Sequence, residues 1–228
     1  MNVEALLLSL RLALCVSAIL FVLGMPLAYW LAYSRRRWKF LVEALVALPL
    51  VLPPTVLGFY MLLAMGPHGP LGKFWYAAFG HGLAFTFAGL VIASVLYSFP
   101  FAVQPLVASF ETVDRKLLDA SAILGANRMR TFRCVILPLS VPGIITALVL
   151  SFAHTLGEFG VVLMVGGNLP GVTRTVSIDI YDHVQSLDYA GASHTALFLL
   201  LISFAVLSAV YGINRRASRR AWPTWSVK

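Results

Sequence analysis

Glu158 is the most conspicuous chemical group in this chain. It stands in the run AHTLGEFG inside an otherwise apolar stretch, and Ser151, His154, Thr155 and Glu158 fall at i, i+3, i+4 and i+7. That spacing puts four polar side chains on one stripe of a helix. A charged group deep in an apolar span costs about 2.5 to 3.5 kcal/mol or more, so such a residue normally faces the protein interior. The stripe could line a path or a gate. Equally, His154 and Glu158 could satisfy each other as an i, i+4 pair, with Gly157 and Gly160 letting a neighbouring helix pack closely. The balance favours packing or gating for Glu158 over ligation of a substrate.

Constellations that would make the chain an enzyme fail one by one. GPHGPLGK ends in Gly72-Lys73, but Phe74 stands where a phosphate loop needs Ser or Thr for Mg²⁺, and no strand precedes it. Gly191-Ala192-Ser193-His194 has the small-residue look of a serine nucleophile, yet no later histidine exists to serve as its base from another span. His68, His81, His154, His183 and His194 show no metal-ligand spacing. Nothing here hydrolyses ATP, so if work is done another chain must supply it.

The elements that hold these residues follow from composition. Of the 228 residues, 60% are hydrophobic and 11% charged, and mean hydropathy is +0.87; a soluble domain is nearer a quarter charged. Apolar runs reach the roughly twenty residues that cross ~30 Å of hydrocarbon as a helix. Five spans are expected, about 5 to 33, 43 to 65, 84 to 108, 141 to 165 and 193 to 213. A sixth helix is possible, because Pro100 and Pro105 could divide the third span. The first run reads as a span rather than a cleavable leader, being too long and lacking a basic start. The fold class is therefore an all-α integral membrane protein, taken as one domain over 1–228.

Arginine and lysine set the orientation, since they favour the cytoplasmic side of short loops. Arg35, Arg36, Arg37 and Lys39 follow the first span; Arg115, Lys116, Arg128, Arg130 and Arg133 separate the third from the fourth; Arg215, Arg216, Arg219, Arg220 and Lys228 follow the fifth. The opposite loops hold only Lys73 and Arg174. The N-terminus is then outside and the C-terminus cytoplasmic. The net charge of +8 meets anionic membrane lipid rather than nucleic acid. Cys15 and Cys134 lie in separate compartments and form no disulfide in this reading.

A polar island, Leu117 to Gly143, interrupts the apolar chain, within a cytoplasmic loop of about 111–140. Leu117, Leu118, Ile123 and Leu124 can form one apolar side of a short helix, and Gly125 sits where that helix would stop or bend. Pro138 and Pro142 mark the return to a membrane helix. Two physical readings remain at this point: an amphipathic helix lying on lipid, or a protrusion docked in a groove of a cytoplasmic partner.

The island resembles the coupling motif of ABC importer permeases, which runs Glu-Ala-Ala, three residues, Gly, nine residues, then Ile-x-Leu-Pro. Here it is Asp119-Ala120-Ser121, three residues, Gly125, nine residues, then Val135-Ile136-Leu137-Pro138. Asp119, Ser121 and Val135 depart from the pattern conservatively. The resemblance implies a type I importer permease bundle whose short helix, marked by Asp119, Ala120, Ser121, Gly125, Leu137 and Pro138, seats in a cleft of an ATP-hydrolysing subunit.

A second stretch, TLGEFGVVLMVGGNLPGVTRTVSIDIYDHVQ, with LPLVLPPTVLGFY in the second span, looks like the permease subunit of molybdate ABC importers. Sulfate or thiosulfate permeases share related segments, and tungstate matches molybdate in charge and shape. The resemblance implies a homodimer with two ATP-binding subunits and a periplasmic oxyanion-binding protein. ATP and Mg²⁺ would belong to the partner chain and no cofactor to this one. Asn168 and Arg174, in an outer loop of about 166–192, become candidates for contact with the binding protein. The remote alternative is a stand-alone secondary transporter.

Overall fold

Hydrocarbon offers no partner for backbone polar groups, so an apolar run folds as a helix until something in the sequence stops it. Helices α1 (Val3–Tyr33) and α5 (Phe87–Glu111) meet no stop, and each is long and apolar enough to cross a membrane. Pro100 and Pro105 both lie inside α5, so the third span is a single helix. The computed structural model describes residues 2–221; Lys228 lies outside them, as do the side chains of Arg215, Arg216, Arg219 and Arg220.

The second expected span, 43 to 65, is two helices. α2 (Lys39–Val51) and α3 (Pro54–Met65) meet at 108°. Leu52 and Pro53 each precede a proline, which disfavours helical backbone, and both are extended with ψ of 135°. Pro54 then opens α3, where its missing N–H leaves nothing unsatisfied. A short helix that the sequence did not announce, α4 (Pro70–Phe79), doubles back against the end of α3. A Cβ at Gly69 or Gly72 would collide with the carbonyls of residues 63 to 66, so the glycines of GPHGPLGK serve a chain reversal.

The island folds as α6 (Arg115–Ile123), α7 (Arg128–Thr131), a π-helical turn (Phe132–Ile136) and α8 (Leu137–Leu139). It leads at 73° into α9 (Val141–Gly157), with Pro142 in the first turn. The expected fourth span, 141 to 165, breaks at Glu158 and Phe159 and resumes as α10 (Gly160–Gly166). α11 (Val176–Gln185) fills much of the 166–192 loop, and α12 (Tyr189–Ala221) is the last helix among the described residues. Among the described residues three helices, α1, α5 and α12, could span alone, and five segments could if each bent pair counts as one.

α1, α5 and α9 pack on one another at the centre. Leu31, Val103, Leu106, Phe110 and Ile136 are fully enclosed at the basic end, and Leu12, Val16, Leu90, Val162 and Ile178 at the other. α10 is wedged between α3 and α5, which explains why Val161, Val162 and Val165 have no exposure at all. By contrast Leu14 and Val22 of α1 and Leu197, Leu200, Leu201 and Phe204 of α12 stay exposed. Those are the faces that lipid or a second subunit covers.

Candidate functional site

The break at Glu158 defines the membrane site. α9 ends at Gly157, Glu158 turns to ψ 133°, and Phe159 completes the break before α10. The stripe expected on one continuous helix is therefore three residues on α9 with Glu158 just past its end. Ser151 donates to the Ala147 carbonyl at 2.7 Å, and Thr155 shares a 3.0 Å hydroxyl bond with Ser98 of α5. His154 does not pair with Glu158. Its ring stacks on Phe101 at 3.8 Å between centroids and tilts against Tyr97 at 5.0 Å. The Glu158 carboxyl is buried, and it faces the Ser94 hydroxyl without closing an ordinary hydrogen bond.

Beside this break lies a cavity of about 560 Å³, lined among others by Pro54, Thr55, Tyr97, His154, Glu158 and Phe159. Its walls are the start of α3, the break between α9 and α10, and Tyr97 of α5. Gly160 brings the first two together: a Cβ there would sit 2.7 Å from the Pro54 Cβ, and one at Gly58 would sit 2.8 Å from that of Met164. Gly157, which the sequence also offered as a packing glycine, has nothing within 4 Å. Broken helices whose ends meet around a cavity are what a protein uses where irregular backbone must exist at membrane depth.

The island is a built protrusion. Asp114 caps α6 by accepting from the Lys116 amide at 2.9 Å. Gly125 ends it at φ +76°, with the Ala126 amide donating to the Ser121 carbonyl at 3.0 Å and the Gly125 amide to the Ala122 carbonyl at 2.9 Å. This is the left-handed cap that glycine adopts most easily. The apolar residues do not share one side, as the sequence suggested. Leu118 packs inward on the core, whereas Ile123 and Leu124 are 87% and 84% exposed. Asp119 and Ala120 are exposed with them; Ser121 is buried and bonds the Thr131 hydroxyl at 2.8 Å, tying α6 to α7. Leu137 packs against the core and Pro138 is exposed.

Asn168 and Arg174 come together in the 166–192 loop, on a third residue that the sequence did not single out. Asp182 of α11 accepts from the Asn168 amide at 2.7 and 2.6 Å and pairs with Arg174 at 3.3 Å, while Arg174 Nε donates to the Asn168 carbonyl at 2.6 Å. At the corner into α12, His183 Nδ1 lies 2.9 Å from Asp188. The Gly191 amide first, and then His183, hold the exposed Asp188 carboxyl below its ordinary range.

The profile of the binding-protein-dependent transport system inner membrane component matches residues 24–220. The chain belongs to this family. A relative in Azotobacter vinelandii, the molybdenum transport system permease protein ModB, is 52% identical over 94% of this chain and 95% of its own length. The protein of the same name in Escherichia coli K12 is 39% identical over 89% and 87%. The fold matches a bacterial alginate ABC transporter solved with its periplasmic protein, at TM-score 0.77, 17% identity and coverage of 95% of this chain and 79% of that one. As an inner membrane component the chain is the multi-pass transport part of an ABC importer, and hydrolysis of ATP belongs to a separate chain.

In this inner membrane component the least legible contacts were those between distant segments. Ser94 and Ser98 are two polar positions one turn apart in the apolar α5, a signal that could have marked the face turned to Thr155 and Glu158. Nothing local marked Asp182 as the partner of Arg174.

Proposed function

We propose that this permease carries molybdate from a periplasmic binding protein to the cytoplasm, driven by ATP hydrolysis on two partner subunits. The observation that carries the reading is the 52% identity to a molybdenum permease along almost the whole chain. Two copies of the chain form the pathway, with the N-terminus outside and the C-terminus cytoplasmic. The protrusion centred on Asp119, Ala120 and Ser121, stopped by Gly125 and returned to the membrane through Leu137 and Pro138, is the coupling element. Exposed Ile123 and Leu124 support that role, because two large apolar side chains at the tip of a capped helix form a knob for a cleft. ATP binding closes the ATPase pair, draws the two coupling elements together and opens the passage outward; hydrolysis resets it.

Ser151, His154, Thr155 and Glu158 belong to the gate region in this reading, set where two broken segments meet. They do not form a binding site for a dianion. Arg11 of α1 lies against Phe87 at 4.6 Å, and Arg174 is held by Asp182, so the membrane path itself presents few cations to an oxyanion. Selection is delegated to the binding protein, with Asn168 and Arg174 on the surface that receives it. ATP and Mg²⁺ act on the partner subunits.

The test is ATP hydrolysis by the reconstituted complex with its binding protein, measured with molybdate, tungstate and sulfate. Stimulation by molybdate is expected. Stimulation by sulfate alone would reassign the substrate, and uptake driven by an ion gradient without ATP would refute the importer scheme.

A further inference from the structure

We infer that the cleft between the end of α1 and the island binds the phosphate of an anionic phospholipid. The cleft measures about 700 Å³ and is lined by Tyr29, Trp30 and Tyr33 of α1, by Arg35 and Arg36 just beyond it, and by Arg128 at the start of α7. Chain positions 35 and 128 are far apart in sequence, so this gathering of guanidinium groups is made by the fold. Among the described residues no carboxylate lines the cleft.

Charge accounting shows that the arginines are not neutralised from within. Lys39 takes Glu43 at 3.1 Å and Glu111 at 3.5 Å, and Asp114 is spent on capping α6. Among the described residues no ion pair holds Arg35, Arg36 or Arg128. Three arginines without an ion pair line this one cavity, and such a cluster is a site for a phosphate-type oxyanion, which arginine recognises through paired N–H donors.

The walls point to a lipid as the bearer of that phosphate. Trp30 and Trp38 lie 5.1 Å apart, Arg36 sits 5.6 Å from the Trp38 ring, and Trp38 is half exposed. Tyr33 is fixed by donating to the Phe110 carbonyl at 2.7 Å. Aromatic rings at the end of a spanning helix beside unpaired arginines are the arrangement found at headgroup level. Phe40 and Leu41, exposed at the start of α2, give acyl chains an apolar surface next to it.

The cleft also lies behind the protrusion. It uses Leu118 and Ala122 of α6, whereas Leu117, Ala120 and Leu124 line a separate depression on another side. A headgroup seated there would brace α6 against α1 without covering the exposed tip. This inference stands whichever oxyanion is transported.

The experiment is native mass spectrometry of the purified full-length permease, with phosphatidylglycerol, phosphatidylcholine or inorganic phosphate added in detergent. Wild type should retain phosphatidylglycerol over phosphatidylcholine. The combined variant Arg35→Gln, Arg36→Gln, Arg128→Gln should lose that preference by roughly a hundredfold, the scale of three juxtamembrane cations. The corresponding triple lysine variant should recover much of it, and Arg130→Gln with Arg133→Gln, outside the cleft, should keep it. Competition of millimolar phosphate with phosphatidylglycerol for one site would support recognition of the phosphate itself. Equal retention of the two lipids by wild type would overturn the proposal. So would an effect of the Arg130 and Arg133 control as large as that of the cleft variant, or binding of phosphate alone with no lipid retained.

Discussion

Gly125 sits at φ +76° with open space around the position of its missing Cβ, so the backbone alone restricts it. Left-handed backbone costs an L-residue roughly 1 to 2 kcal/mol, and asparagine tolerates it better than a β-branched residue. Gly125→Val should therefore abolish most uptake while the permease stays in the membrane, and Gly125→Asn should retain a substantial fraction. Uptake assays alongside membrane quantification of the two variants check the ranking; equal activity of both with wild type would remove Gly125 from the coupling role. At the other polar cluster, Arg174 and Asp182 are three-quarters and two-thirds buried partners that share Asn168. A double-mutant cycle of Arg174→Ala and Asp182→Ala, read by thermal unfolding, should show about 0.5 to 1 kcal/mol of coupling. Additive effects would mean that Arg174 acts outward, on another protein.

Helix breaks carry the next level of structure, and two glycines three residues apart test them. Gly160 meets Pro54 at 2.7 Å from its would-be Cβ, so Gly160→Ala forces α3 and α10 apart and should destabilise the permease by about 1 to 3 kcal/mol. Gly157→Ala meets nothing within 4 Å and extends a helix end, so it should be neutral or stabilise by up to about 1 kcal/mol. Detergent melting curves of the two variants separate these outcomes. The same elements show what was legible beforehand. The apolar runs of α1, α5 and α12 declare themselves locally, and so does the short glycine-capped helix of the island, because its helix formers and its cap lie within one short segment. Leu52-Pro53-Pro54 marked a disturbance, but the 108° bend depends on where α3 finds its packing against α10. The break at Glu158 carried no proline at all; it arises because Gly160 must reach Pro54, a contact between residues more than one hundred positions apart. α4 and α11 were hidden for the opposite reason, being short helices in loops whose partly polar composition resembles irregular chain.

For the molecule as a whole, the decisive question is what its exposed surfaces are for. The apolar faces of α1 and α12 are explained by lipid or by a second subunit, but Ile123 and Leu124 sit on the island, at the end of the bundle where unpaired arginines gather. Exposed leucine and isoleucine at that place gain nothing for the isolated chain, because they touch no core. Replacing both, as Ile123→Asp with Leu124→Asp, should leave the permease's own stability within about 0.5 kcal/mol, the usual range for exposed positions. Buried in a partner's cleft, such anchors contribute about 2 kcal/mol or more each. Co-purification of the ATPase subunit with the double variant should accordingly fall by more than about a hundredfold, with ATP-driven uptake lost and the melting temperature of the permease alone unchanged. Retention of the ATPase would place the docking surface elsewhere on the island. A matching loss of permease stability would instead show that the two side chains belong to this chain's own core, and the knob would then be discarded as the contact that transmits ATP hydrolysis to the membrane.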